Sequence, residues 1–306
     1  MARYLVTGGA GFIGSHLVDA LLAQGHAVEV LDDLSTGHRS NLPPGVALTV
    51  ADAADAAAVK AAMAGMDGCF HLAAIASVQR SNEDWLGTHR ANLTASIAVF
   101  DTARTAKDGH AIPVVYASSA AVYGDAAEVP IAETAATRPM TAYGADKLGS
   151  ELHARVATLV HGVPTTGLRF FNVYGPRQDP RSPYSGVISV FAGRAKTGQT
   201  IGVHGDGDQT RDFVYVADVV RHLIAAMASS TREARVFNVC TGKALSILDL
   251  ARAVMDAAGS RLDITHGPAR AGDIRESVGN PARAVAALGL RAETPLADGL
   301  RATLAG

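Results

Sequence analysis

Cysteine is almost missing from this chain. Cys69 and Cys240 are the only two, which excludes a disulfide framework and a cysteine-built zinc site. A dominant charge is missing as well. The net charge is -2, with no basic run, and a nucleic-acid surface needs clustered Lys and Arg, so no nucleic-acid partner is expected; a local phosphate site stays open. The 11 histidines contain no HExxH and no paired spacing, so no metal is expected. No apolar run approaches the length of a membrane span, and Met1 leads directly into "ARYLVTGGAGFIG" without a charged-then-apolar leader. Neither a membrane nor an export route is therefore expected, and the expected location is cytoplasmic. Internal repeats and low-complexity linkers are absent too. What is present is 306 residues, 48% apolar and 18% charged, enough to bury a substantial core as two modest domains or one elaborated domain.

Short Val-, Leu- and Ile-rich runs alternate with helical stretches through the first half. "RYLVT", "AVEVL", "VALTV", "CFHLA", "IPVVYA" and "TTGLRF" read as strands. Between them, "GSHLVDALLAQG", "DAAAVKAAMAGM", the segment from Asn92 to Ala106 and the stretch after Thr141 read as helices. This alternation predicts an α/β fold of the Rossmann type, a doubly wound parallel sheet with helices on both faces. After Asn172 the rhythm breaks into the Pro-, Gly- and Arg-rich "VYGPRQDPRSPYSG". Helices are then expected near Ile188 to Lys196, near Ile247 to Ala258 and, last, near Ala282 to Leu288, with strands at "DFVYV" and "VFNVC". We expect a domain over residues 1–170 and a smaller α/β domain over 171–306, parts of which return to the first.

Three patterns carry chemistry. "TGGAGFIG" joins the first strand to the first helix, with Gly8, Gly11 and Gly14 at three-residue intervals. Such a turn lets backbone amides approach a pyrophosphate at a helix N-terminus; a tight turn alone is the alternative. The second strand ends in "VLDDLSTG", where the Asp32 carboxylate can accept both ribose hydroxyls of NAD and would repel a 2′-phosphate. A solvated loop is the other reading of Asp32 and Asp33, and Arg39 leaves an NADP-type pocket open but disfavoured. Third, "TAYGADKLGSE" sets Tyr143 and Lys147 one helical turn apart, on one face. Lysine occurs only at Lys60, Lys107, Lys147, Lys196 and Lys243 and there are 7 tyrosines, so chance supplies roughly 0.1 such pairs.

Taken in order with "YASSAAVYG", these patterns resemble the extended short-chain dehydrogenase/reductase superfamily, and within it the nucleotide-sugar 4-epimerases of the UDP-glucose 4-epimerase type. The resemblance runs from residue 3 to about residue 290 and includes "HLAAIASVQRS", "RFFNVYGPRQ", "GDGDQTRDFVYVADV" and "RAGDIRES". It implies NAD as cofactor. Gly8, Gly11, Phe12, Ile13 and Gly14 would wrap the pyrophosphate. Asp32 would hold the adenosine ribose, with Asp33, Ser35, Thr36 and Gly37 beside it. Asp52 and Ala53 would reach the adenine. Leu72, Ala73 and Ala74 would line the groove, with Asn92 and Ser118 in support. Ser119, Tyr143 and Lys147 would be the catalytic group, Tyr143 and Lys147 touching cofactor too. Phe171 and Asn172 would sit at the nicotinamide and the sugar diphosphate. Val187, Arg211, Arg270, Asp273 and Ser277 would contact a UDP-hexose, the last facing the C2 substituent of the sugar. A homodimer is the state the resemblance implies. Two departures, Ala95 where the family often has Gly and "DAAD" where "DIRD" is common, touch packing rather than chemistry.

An epimerase of this type oxidises C4 of the sugar and returns hydride to the opposite face, which needs a base working near neutral pH. Free tyrosine titrates near 10, and bringing it down about three units takes roughly 4 kcal/mol. One positive charge about 6 Å away at an effective dielectric near 20 supplies roughly 2.8 kcal/mol. Lys147 therefore needs the cationic nicotinamide as a second charge. Sugar dehydratases and decarboxylases of the superfamily carry an acidic residue just before "VYG", where this chain has Ala120 and Ala121. Two other readings fit the fold: a net NAD(P)-dependent oxidoreductase of a nucleotide keto-sugar, and a non-catalytic NAD(P)-binding sensor, although sensors typically lose the Tyr or the Lys.

Overall fold

Strands β1 (Arg3–Thr7), β2 (Ala27–Asp32), β3 (Ala47–Val50), β4 (Gly68–His71), β5 (Val114–Ser119) and β6 (Thr165–Phe170) form where the apolar runs predicted them. β4 and β6 are buried at every residue, as a strand covered on both faces requires. In the computed structural model, which describes residues 1–179, 186–269 and 273–306, these strands and Arg235–Val239 make a seven-stranded parallel sheet. Its order is Arg235–Val239, β6, β5, β4, β1, β2, β3. The chain winds outward from β1 in one direction and from β4 in the other. Thr7 at the end of β1 is in register with Leu31 of β2 and with His71 of β4. Three carboxyl ends are thus level at the switch point, where ligands of such sheets bind.

Helices α1 (Phe12–Ala23), α2 (Ala56–Met63), α5 (Ala95–Ala103) and α6 (Ala142–His161) pack with the sheet strands, whereas α3 (Val78–Glu83) and α4 (Trp85–His89) pack on α6. The segment read from Asn92 as one helix is in fact a π-helical turn, Arg90–Thr94, followed by α5; sequence periodicity does not distinguish a π turn from an α turn. α6 is capped by the Thr141 hydroxyl, which accepts from Gly144 N at 3.0 Å, and stops at Gly162 in the left-handed region.

The chain divides into two compact units that interleave along the sequence. The first comprises Met1–Val122, Pro139–Arg169 and Val220–Phe237, and the second Tyr123–Arg138, Phe170–Val219 and Asn238–Gly306. Leu5, Val59, Met63, Val99, Phe100 and Tyr116 centre the first core. The second core gathers Tyr174, Ile188, Phe191, Leu250, Val254 and Leu300. The predicted last helix, Ala282–Leu288, is followed by a further helix, Leu296–Ala305. Pro295 before it and Gly299 within it mask its start and its periodicity in the sequence. Among the described residues no helix is long and apolar enough to cross a membrane.

Candidate active site

The glycine turn is built for close approach. Gly8 has φ +70°, and a Cβ there would lie 2.6 Å from the Ala73 amide nitrogen. A Cβ on Gly14 would lie 2.1 Å from the Gly8 carbonyl oxygen, so α1 can start this near β1 only with glycine at both positions. α1 begins at Phe12 and Ile13 with Gly11 as its cap, without a side-chain cap and without an acidic residue in its first turn. Its first amides are left for an anion. Asp32 ends β2 buried, accepting from Ala10 N and Leu34 N, each at 2.9 Å. Burial pushes its carboxyl up while these two amides hold it down. Two bonds use half of its acceptor sites, which leaves room for ribose hydroxyls. Gly37 packs on this corner, its missing Cβ 2.9 Å from Ala10 C and 3.0 Å from Asp32 Oδ1.

The other expected cofactor residues fall around the same strand ends. Asp33 accepts from Ser35 N at 2.9 Å and Ser35 Oγ at 2.6 Å, which shapes the loop through Thr36. Asp52 accepts from Ala54 N at 2.8 Å and faces Arg90 Nε at 3.4 Å, beside the buried Ala53. After β4, Leu72 N donates to Thr7 O at 3.0 Å and Ala73 N to Thr7 Oγ1 at 3.3 Å, ahead of Ala74. Asn92, buried in the π turn, brackets Ile75. Its Oδ1 accepts from Ile75 N at 2.8 Å and its Nδ2 donates to Ile75 O at 3.2 Å. The free amides, the glycine-cleared turn and the buried acceptor at the end of β2 all fit a dinucleotide.

Against β5, one stripe of α6 carries Tyr143, Lys147 and Glu151 at successive turns. Ser119 Oγ accepts from Ala121 N at 3.1 Å, and its hydroxyl lies near enough to the Tyr143 phenol to favour the phenolate. Burial pushes the Tyr143 phenol up and the nearby Ser119 hydroxyl opposes this. Lys147 Nζ donates to Ala117 O at 3.0 Å and lies 5.8 Å from the centre of the Tyr143 ring. Burial pulls its ammonium down to about 8, with Asp146 opposing. The phenol thus lies above its ordinary value with Lys147 beside it. Ser118 donates to Glu151 Oε1 at 2.6 Å. That hydroxyl is spent, and any help from Ser118 to a cofactor comes from its backbone.

The second unit holds the remaining residues. Phe171 is buried, its ring 2.7 Å from where a Cβ on Gly279 would sit. Asn172 N donates to Asp212 O at 2.9 Å, and Val187 opens the helix Val187–Thr197. Arg211 Nη1 donates to Thr210 O at 2.8 Å and Nη2 to Asp273 Oδ1 at 2.5 Å. Two residues expected side by side on one ligand are therefore paired with each other. The strand Glu276–Ser277 runs parallel to Thr210–Arg211 with Ser277 in register with Arg211. Arg270 lies outside the described residues.

This geometry has close counterparts. The model of the NAD dependent epimerase/dehydratase family matches residues 4–240. The chain belongs to that family. A UDP-glucose 4-epimerase of Mycolicibacterium smegmatis is 36% identical over 99% of this chain and 97% of its own. A UDP-glucose 4-epimerase of Thermus thermophilus, solved with NAD, superposes with TM-score 0.91 at 36% identity, covering 99% of this chain and 98% of its own. A UDP-N-acetylglucosamine 4-epimerase of Methanobrevibacter ruminantium, solved with UDP-N-acetylmuramic acid, gives TM-score 0.94 at 33% identity, over 99% and 97%. The cofactor of this epimerase-family enzyme is NAD.

Other members of the site went unread in the sequence. Glu151 receives Arg169 Nε at 2.8 Å and Nη2 at 2.6 Å, a buried two-pronged ion pair that ties α6 to β6. Its signal was present, because Glu151 continues the spacing of Tyr143 and Lys147. His71 is fully buried. Its Nδ1 meets Thr7 Oγ1 at 2.8 Å and its Nε2 meets Ser96 Oγ at 3.1 Å, with Ser150 Oγ 2.9 Å further on. Burial, with Lys147 adding to it, pulls His71 down to about 3, so the ring is neutral. Nothing in the sequence separated this histidine from the other ten.

Proposed function

We propose that this enzyme is a 4-epimerase of UDP-hexoses, interconverting UDP-glucose and UDP-galactose with an NAD that stays bound and is recycled. The observation that carries the reading is the Ser119–Tyr143–Lys147 group at the end of β5, in a family-typical NAD fold. NAD, when bound, supplies the hydride acceptor and donor. Tyr143 takes the proton of the 4-hydroxyl and returns it, and Ser119 aligns the phenol through its hydroxyl. Lys147 supplies positive charge beside the phenol and a donor for the nicotinamide ribose. Arg211, oriented by Asp273, supplies the charge-assisted donors that a diphosphate needs, with Phe171, Asn172 and Val187 offered to the same ligand. Ala120 and Ala121 provide no carboxyl for a dehydratase or decarboxylase step. Two free buried thiols suit a cytoplasmic setting.

Ser277 adds permission for N-acetylated hexoses, since a small side chain at that position leaves room for an acetamido group. The test is to purify the protein and quantify NAD released on denaturation, then to follow UDP-galactose and UDP-glucose interconversion without added cofactor. Co-purified NAD with no net NADH and equilibration of the two sugars supports the reading. Stoichiometric consumption of added NAD(P)H would instead establish the oxidoreductase alternative.

A further inference from the structure

The buried charges around α6 do not all close in pairs. Glu151 and Arg169 satisfy each other on two bonds, and His71 is neutral. Two ions remain, consecutive in sequence and both buried: Asp146 and Lys147. Lys147 donates to the Ala117 carbonyl and has no ion-pair partner among the described residues. Asp146 Oδ1 takes His89 Nδ1 at 2.8 Å, whereas its Oδ2 is buried without any hydrogen-bond partner. A carboxylate oxygen held dry and unbonded is costly unless charge nearby compensates it, and so is a dry ammonium.

Adjacent helix positions diverge, which rules out a direct bond between the two side chains. As consecutive residues on the buried side of α6 their fields still act on each other across the low-dielectric interior, the Asp146 charge favouring the ammonium. We propose that Asp146 is a positioning residue whose buried carboxylate, steered by His89, is the counter-charge that holds Lys147 as an ammonium beside Tyr143. This rests on Tyr143 and Lys147 being the proton-handling pair. In the resulting arrangement α6 presents its cation to β5 and the cofactor side, and its anion to α4.

The other ionisable groups on elements packed against α6 do not replace Asp146. α3 brings Arg80 and an exposed Glu83 that accepts from Gln79 at 2.9 Å. α4 brings His89, half-exposed at 44%. The π turn brings Arg90, which turns to Asp52 at 3.4 Å. α5 brings Asp101, paired with Arg104 at 2.7 Å. β5 brings Tyr116, which burial keeps protonated. The carboxylate left for Lys147 is Asp146.

The experiment is a ¹³C-lysine NMR titration of the intact protein, in which Lys147→Met identifies one resonance among the five lysines. Asp146→Asn is nearly isosteric and keeps an acceptor for His89. In that variant the Lys147 midpoint is expected to fall by about one unit or more, a tenfold change in proton affinity, while the other lysines do not move. Should Asp146→Asn fail to fold, Asp146→Ser carries the same measurement, since its hydroxyl also accepts and has no charge.

In the NAD-loaded enzyme, the alkaline limb of the kcat profile moves to lower pH by the same amount and the acid-side kcat is retained. An unmoved Lys147 midpoint, or a kcat lowered by one factor at every pH, overturns the proposal. The titration also separates it from the function reading. A shifted midpoint in a protein that turns over no UDP-sugar leaves the counter-charge role standing and removes the epimerase. An active epimerase with an unmoved midpoint does the reverse.

Discussion

At the scale of single residues, the proposed site depends on a phenol whose surroundings in the protein work against ionisation. Burial raises Tyr143, and the nearby Ser119 hydroxyl opposes it. Tyr143→Phe removes the one atom that moves the proton and little else. We expect it to keep fold and NAD while kcat falls by about three orders of magnitude or more, as for removal of an essential acid–base group. Steady-state kinetics beside NAD quantification checks this, and near-wild-type turnover removes the base from the mechanism. Asp32 sets cofactor choice in the same way. Stripped protein should bind NAD at least tenfold more tightly than NADP by calorimetry, because a 2′-phosphate would meet a buried carboxylate. Equal affinity would favour the oxidoreductase reading.

Ser277 is in register with Arg211, which gives it a place beside the proposed diphosphate ligand. In Ser277→Tyr, kcat/KM for UDP-N-acetylgalactosamine should fall tenfold to a hundredfold relative to UDP-galactose, since overpacking costs about 1–3 kcal/mol. Unchanged discrimination would mean that the strand presents another residue to the sugar. His71 adds a pH signature in stability. Its folded value, about 3, lies below the ordinary 6.5, so the unfolded chain binds the extra proton between these limits. Its contribution is therefore fully present above pH 6.5 and is lost as pH falls toward 3, by up to about 1.4 kcal/mol per unit. Urea unfolding of His71→Gln across that window should show a flatter pH dependence than the wild type.

At the scale of elements, the sheet strands and α1 were legible because a covered parallel strand and a glycine turn leave strong local marks. The Tyr143–Lys147 pair was legible for the same reason, as two rare residues one turn apart. The π turn was not, because its period is too near that of an α-helix to show in the sequence, and the bonds of Asn92 to Ile75 within it are remote in sequence. Nor was the tie between α6 and β6. Glu151 and Arg169 look like surface charges in the sequence and are buried together in the fold. That tie fixes Ser118 and, next to it, Ser119. Glu151→Ala should destabilise the protein by about 3–5 kcal/mol, since it breaks a buried ion pair and removes the carboxylate that balances the Arg169 charge. Denaturant unfolding measures this, and a loss under 1 kcal/mol would show that water or another group takes over.

At the scale of the whole molecule, α6 has its faces reversed. Leu152, Val156 and Leu159 have helical spacing, which ordinarily marks a core stripe. Yet they are 59%, 50% and 68% exposed, with Val160 at 68%. The buried side of the helix is instead Gly144, Asp146, Lys147, Ser150, Glu151, Ala154, Ala157 and Thr158, the side that serves the site. Trp85 and Leu86 on α4 and Ile97 on α5 add 69%, 80% and 38% exposure on the helices that pack beside α6. Exposed large apolar side chains on neighbouring helices mark an association surface. A second copy of the chain, meeting the first across a two-fold axis, would cover this face with the same face. We therefore expect a homodimer built on α6. Sedimentation equilibrium should give twice the chain mass of 31.5 kDa for the wild type. Val156→Glu combined with Leu159→Lys should give the single-chain mass, because two charges would be forced into a dry interface. Both changes lie on the outward face of α6, so bound NAD should persist in the variant. A wild type that sediments as a monomer would leave the reversed helix without a partner and remove the dimer from the proposal.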